Sequence, residues 1–288
     1  MYNKAGNSMK KMIIITRLHL QSWKSNYTIW SGLGIGLGLC LMYVLRFISY
    51  CNVVGSTCQI VEPYIIMGNM SKHSFTGIFL GCIVVLSEVP FINKQSTYEI
   101  IRVGTHTWVR SQILYIIVAI LIYNFFIMLT CIALGVIRSN VFFENKWSTA
   151  ISLLAVQQPA FAVANFKLNF PYANFIYSVK PYIGALFTFF FNTAYCVIAV
   201  LLIFIVNVWT KTNMGWIAGA AFHILGYVVS NNGGLFFRFN ISILECALPA
   251  VLLSEDSPIG PFWATWLFSI IILLLTDISQ KSHWRLVI

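Results

Sequence analysis

Charge is what this sequence has least of. Only 9% of its 288 residues are Asp, Glu, Lys or Arg, and eight residues in all are acidic. A soluble domain carries roughly a quarter of its residues charged, so this chain cannot coat a surface that faces water. Hydrophobic residues make up 59%, and the solvent around most of them is expected to be lipid. Motifs are missing too. There is no G-x-x-x-x-G-K-[ST] loop, so the chain is not expected to bind and hydrolyse ATP itself. There is no H-E-x-x-H and no G-x-S-x-G. The seven cysteines form no C-x-x-C pair and no Cys/His group has zinc spacing. The expectation is therefore no catalytic residue, no metal site and no cofactor held by this chain. No short apolar core with a small-residue cleavage site precedes the first long run, so the first span is expected to stay as an anchor.

What is present is a series of apolar runs. A helix needs about 20 apolar residues to cross a bilayer. Such runs lie at Ile29–Ile48, His73–Phe91, Gln112–Ile137, Pro181–Val208, Met214–Val229 and Gly260–Thr276. The reading is an all-α polytopic membrane protein, a single transmembrane domain over 1–288 with six transmembrane helices. No internal repeat is visible. The net charge of +10 could point to nucleic acid. The basic residues sit at the ends of the apolar runs, however, which suits anionic lipid head groups and cytoplasmic loops and not nucleic acid.

Lys and Arg placement sets the orientation. With the N-terminus inside, the inner segments hold Lys4, Lys10, Lys11, Arg17, Lys24, Lys94, Arg102, Arg110, Lys211, Lys281 and Arg285. The outer ones hold Lys72, Arg138, Lys146, Lys167, Lys180 and Arg238, and Arg46 lies near the outer end of the first span. Glu62, Glu144, Glu245, Glu255 and Asp256 also fall outside. The expected location is the cell membrane, multi-pass, with both termini cytoplasmic. Trp23, Trp30, Trp108, Trp147, Trp209, Trp263, Trp266 and Trp284 near the predicted boundaries form an aromatic belt.

Three other segments carry information. In 9–24, Ile14, Leu18 and Trp23 can share one helical side with Arg17, Gln21 and Lys24 near the other, an interfacial helix. The 92–111 loop holds the densest charge in mid-chain; Tyr98–Val103 can form a short amphipathic helix with Gly104 as its stop. The outer segments 138–180 and 230–258 contain semi-apolar stretches, Trp147–Ala164 broken at Gln157, Gln158 and Pro159, and Ile241–Leu253. Both read as re-entrant or surface helices; as true spans they would add two and leave both ends inside. Cys51 and Cys58 share one outer loop, and spacing alone leaves a disulfide open.

Within the first span, Gly32, Gly34, Gly36 and Gly38 form small-xxx-small pairs that let helices approach closely. Packing within the bundle and packing at a dimer interface are both open. Intramembrane polar residues are Asn124, Asn192, Asn207 and His223, with Glu88 and Asp277 at inner span ends. For His223 a hydrogen-bonded packing role outweighs a proton-relay one.

The order of parts resembles the permease subunit of type-2 ABC exporters. Glu88, then Tyr98-Glu99-Ile100-Ile101-Arg102-Val103-Gly104-Thr105, then Trp108-Val109-Arg110 is similar to that family's acidic residue, E-x-x-R-x-G-T stretch and Arg before the third span. The long 140–180 outer segment departs from many members. The resemblance implies two permease chains, homo- or heterodimeric, each docking an ABC ATPase subunit that binds ATP-Mg. Glu88, Tyr98, Glu99, Arg102, Gly104 and Arg110 would couple to it, and an amphipathic lipid, peptide or drug-like molecule would be expelled. Two other readings stand beside this one: a non-pumping membrane partner of immunity type, and a lipid-modifying membrane enzyme.

Overall fold

A computed structural model describes residues 2–70, 72–90, 94–231, 242–254 and 260–281. Phe91, residues 92–93, Arg238, Glu255, Asp256, Trp284 and Arg285, all used above, lie outside the described residues. In chain order the helices begin with α1 (Tyr2–Gln21), α2 (Tyr27–Val54), α3 (Glu62–Asn69), α4 (Lys72–Leu86), α5 (Lys94–Val103) and α6 (Thr105–Arg138). They continue with α7 (Thr149–Ser152), α8 (Pro159–Phe166), α9 (Ala173–Ser178), α10 (Pro181–Thr210), α11 (Gly215–Asn231), α12 (Ile243–Cys246), α13 (Pro249–Leu252) and α14 (Pro261–Lys281).

Four helices, α2, α6, α10 and α14, are long and apolar enough to cross a membrane. The other two expected spans, α4 and α11, are shorter apolar helices. The run predicted to reach Phe91 stops at Leu86, where a turn at Ser87–Glu88 ends α4. The 15 residues of α4 cover about 22 Å at 1.5 Å per residue, short of the roughly 30 Å of a hydrocarbon core. Ahead of α4 stands α3, every residue of which is buried.

The axis of the bundle is α10. Its most apolar stretch is 72% buried against 22% for that of α14, which lies at the periphery. Around α10 pack α3, α4, α6, α11 and α14, and α2 pairs most extensively with α4. That pairing depends on glycine. A Cβ on Gly32 would lie 2.6 Å from Val85 Cγ2 and 2.7 Å from its backbone N. The α2 backbone therefore rests directly on α4, as small residues allow. With 34 residues, α6 is about 51 Å long and extends well beyond a hydrocarbon core.

The segment Trp147–Ala164 is no continuous helix. It is α7, a π-helical turn at Leu153–Gln157 and α8, broken at Gln158 (φ −134°, ψ 47°). Of Ile241–Leu253, the described residues from Ser242 on form the single turns α12 and α13, whose side chains Leu244, Cys246, Ala250 and Leu252 are buried, and Ile241 lies outside the described residues. One feature escapes an all-α reading, a parallel pair of two-residue strands, β1 (Cys58–Gln59) and β2 (Val141–Phe142). Cys58 N donates to Asn140 O at 2.9 Å and Ile60 N to Phe142 O at 3.2 Å, tying the 138–180 segment to the end of the first span.

Candidate functional site

The predicted coupling residues gather where α1, α5, α6 and the ends of α2 and α4 meet. Here α5 stops because Gly104 has φ +85°, a conformation that L side chains rarely adopt. Gly104 N donates to Ile100 O at 2.8 Å, and its own carbonyl accepts from Trp108 N at 3.0 Å. One glycine thus closes α5 and starts α6, so the two helices turn about a shared corner. Across it Trp108 Nε1 donates to Glu99 Oε2 at 3.3 Å, and the indole is fully buried.

Helix α1 lies along the first turns of α6. Thr16 and His19 of α1 and Trp23 in the 3-10 turn that follows it (Ser22–Ser25) recur every three or four residues along one side, as do Ser111, Gln112 and Tyr115 on α6. The faces match. Thr16 Oγ1 donates to Ser111 O at 3.2 Å, and Trp23 Nε1 to Tyr115 OH at 2.9 Å. His19 Nε2 lies 2.9 Å from Gln112 Nε2, where the amide donates to a neutral imidazole, and 3.8 Å from Glu99 Oε2. Burial pulls the His19 pKa below its ordinary 6.5, and the Glu99 carboxylate partly offsets this. Of the side predicted from Ile14, Leu18 and Trp23, only Trp23 turns to α6. Ile15 and Thr16 are buried, while Ile14 and Leu18 are about half exposed. Polar residues bond α1 to α6, and Met9, Ile13, Ile14 and Leu18 are left exposed.

Glu88 sits in the turn after α4, and its carboxylate spans a gap in sequence of 60 residues. Oε1 accepts from Thr28 Oγ1 at 2.9 Å and Oε2 from Asn26 Nδ2 at 3.3 Å. Asn26 Oδ1 accepts from Thr28 N at 2.9 Å, so Asn26 is the N-cap of α2. Beside it Asn207 joins three elements. Its Nδ2 donates to Val89 O at 2.7 Å and Ser87 O at 3.3 Å, and its Oδ1 accepts from Gly215 N at 2.6 Å.

Tyr98 and Arg102 lie on the exposed side of α5, and Arg110 is exposed on the first turns of α6. Tyr98 and Ile101 are 75% and 77% exposed. The four glycines divide. Gly32 and Gly36 are buried against Val85 and Tyr123, whereas Gly34 and Gly38 are exposed with nothing within 4 Å of an added Cβ. Sequence reasoning missed His19, Asn26, Thr28, Gln112 and Tyr115. Asn26-x-Thr28 just ahead of the first apolar run was the available signal, an N-cap pattern.

Elsewhere, His223 bonds Thr76 Oγ1 at 2.9 Å and Tyr195 OH at 3.0 Å and stacks on Phe79 at 4.2 Å, a packing histidine. Glu62 is buried where α3 begins. Its carboxylate accepts from Ser148 N at 2.7 Å and Gln59 N at 3.0 Å. Burial nevertheless outweighs these donors and pushes its pKa from 4.5 up to about 7. Among the described residues no group of three His, Cys, Asp or Glu is placed to hold a metal ion.

Helical content and long apolar helices define the class, an all-α protein of membrane-embedded type. Searches of family models, of curated proteins and of solved structures find no significant match to the chain.

Proposed function

We propose that this chain is the membrane-spanning subunit of an ATP-driven ABC exporter, acting with a second permease chain and separate ATPase subunits. The observation that supports it best is the hydrogen-bonded junction of α1, α5 and α6 beside Glu88. A subunit with no ATPase of its own must receive motion from outside. On α5 the Tyr98 and Ile101 side chains stand out beside Arg102, a surface suited to a partner with an apolar pocket and acidic rim. Behind it Glu99 is joined to Trp108 and faces His19. A push on α5 would reach α6 through Gly104, α1 through His19, and the bundle through Glu88.

On this reading α2, α4, α6, α10, α11 and α14 are the six spans, with both termini in the cytoplasm. Met9, Ile13, Ile14 and Leu18 on the exposed side of α1 would rest in the inner leaflet. Gly34 and Gly38 would let a second permease chain approach α2. The cargo would be a lipid, peptide or drug-like amphiphile.

The test is purification of the full chain in mild detergent with its neighbouring gene products. An ATPase subunit should co-purify and be lost when Glu99 and Arg102 are both replaced by Ala. Retention of the ATPase by that variant refutes the coupling assignment. Purification without any ATPase favours the non-pumping membrane partner.

A further inference from the structure

The cysteines are arranged in a way their spacing did not reveal. All seven are buried thiols, and six face one another in pairs: Cys40 with Cys131, Cys82 with Cys196, and Cys51 with Cys58. The first two pairs join helices within the bundle, α2 to α6 and α4 to α10. The third is different. Cys51 lies in the last turn of α2 and Cys58 opens β1, with the chain reversing between them at Gly55. Ser56 N donates back to Cys51 O at 3.0 Å, which folds the connection onto the helix end. The Cys58 thiol also donates to Gln59 O at 3.3 Å and meets the Glu62 carboxylate.

We infer that Cys51 and Cys58 form a disulfide that locks the outer end of α2 to β1. The inference rests on the outward placement of this end, and not on the transport reading. Six residues separate the two cysteines, so the bond closes a short loop at one end of α2 and links no two helices of the bundle. Both sulfurs are fully buried in the folded chain, and burial with the neighbouring thiol and carboxylate holds the Cys58 thiol protonated. The bond therefore forms while the connection is still open. The oxidant is an extracytoplasmic protein disulfide of thioredoxin-like type. One thiolate attacks it to give a mixed disulfide, and the second cysteine displaces the carrier sulfur. The cysteines lose two protons and two electrons, and the carrier leaves as a dithiol. Once folded, the bond is shielded from soluble reductant.

What the bond would stabilise is the seat of the outer segment. β1 carries the ladder to β2, Ser56 Oγ accepts from Ala150 N at 3.1 Å, and Glu62 holds Ser148 N. All three contacts spring from the 56–62 stretch that the disulfide fixes.

The experiment is differential thiol labelling of the full chain in its membrane. Cells are quenched in acid, free thiols are blocked with N-ethylmaleimide in detergent, and the protein is then reduced and labelled with polyethylene-glycol maleimide. Wild type should gain two labels only after reduction, and Cys51→Ser and Cys58→Ser should gain none. Cys246→Ser should behave as wild type. Mass spectrometry of the unreduced wild-type protein gives a check that needs no variant, a linked peptide pair lighter by two hydrogens. Seven blocked thiols in wild type, or a shift that survives Cys51→Ser, overturns the proposal. Labelling from outside at a cysteine introduced for Lys167 judges the orientation separately. Outside labelling with seven blocked thiols refutes the disulfide alone.

Discussion

Glu88 Oε1 accepts a hydrogen bond from Thr28 Oγ1 at 2.9 Å, across 60 residues of sequence. This carboxylate ties the start of α2 to the turn that ends α4. Hydrogen bonds to charged groups contribute about 1.5–3 kcal/mol. Glu88→Ala is expected to lower stability by about that amount, and Thr28→Val by about 1 kcal/mol. In a double-mutant cycle on thermal midpoints in detergent, the two changes should be less than additive. Full additivity would mean that the bond contributes nothing.

The glycines of α2 predict opposite outcomes two residues apart, on opposite sides of the helix. Gly32→Val would drive a side chain into Val85 and should destabilise the isolated chain by about 1–3 kcal/mol or more. Gly34→Val meets open space and should leave that stability unchanged while weakening association between copies. Size-exclusion chromatography and thermal unfolding of both variants separate the effects.

Docking of α1 should depend on pH. His19 has its pKa lowered by burial, so the folded state favours the neutral ring. The stability this gives is complete above the ordinary 6.5 and is lost as pH falls below it. Hydrogen exchange at Thr16–Trp23, corrected for intrinsic rates, should therefore rise below pH 6.5. Glu99→Gln removes the charge that opposes the shift and should make the loss steeper.

The outer segment should show the reverse slope. The pKa of Glu62 is raised from 4.5 to about 7, so its contribution is complete below 4.5 and declines as pH rises through 7. At 1.36 kcal/mol per unit this amounts to at most ~3 kcal/mol. The thermal midpoint should be higher at pH 5 than at pH 8, and Glu62→Gln should flatten that difference.

Asn207 satisfies three backbone groups, two just after α4 and one at the start of α11. Asn207→Leu keeps the volume and removes every partner, leaving Gly215 N, Ser87 O and Val89 O without it. The expected loss is about 2–4 kcal/mol, read as a lowered thermal midpoint. A change under 0.5 kcal/mol would show that water replaces the amide.

Apolar length is a strong signal, so α2, α6, α10 and α14 were legible as helices, although α2 ends six residues later than predicted, α6 begins seven earlier and α14 ends five later. α5 and its stop were legible because Tyr98–Val103 is amphipathic and Gly104 breaks it. α4 and α11 were legible as apolar runs, but their lengths were not: the run predicted to reach Phe91 gives way at Leu86 to a turn at Ser87–Glu88. The apolar side of α1 was legible at Ile14 and Leu18, which are exposed, whereas Trp23 was grouped with them and instead bonds Tyr115. In a lipid setting the packed side is marked by Thr16, His19 and Trp23, which bond to α6. The β1–β2 ladder was invisible, since two-residue strands have no period to read. Glu88 drew attention as a lone acid, whereas its partners Asn26 and Thr28 are ordinary residues until the fold brings them together.

The length of α6 has a consequence for the bilayer itself. One unbroken rod of about 51 Å holds both the membrane-crossing stretch and the turns to which α1 and α5 are bonded. Bilayer thickness then decides how much of that rod remains in water. A membrane about 3 Å thicker submerges roughly two more residues of a rod with a 1.5 Å rise. That draws Tyr115 and Gln112 toward hydrocarbon and tightens or strains the α1 seam accordingly. Lipid composition thus acts on the Gly104 corner without touching it.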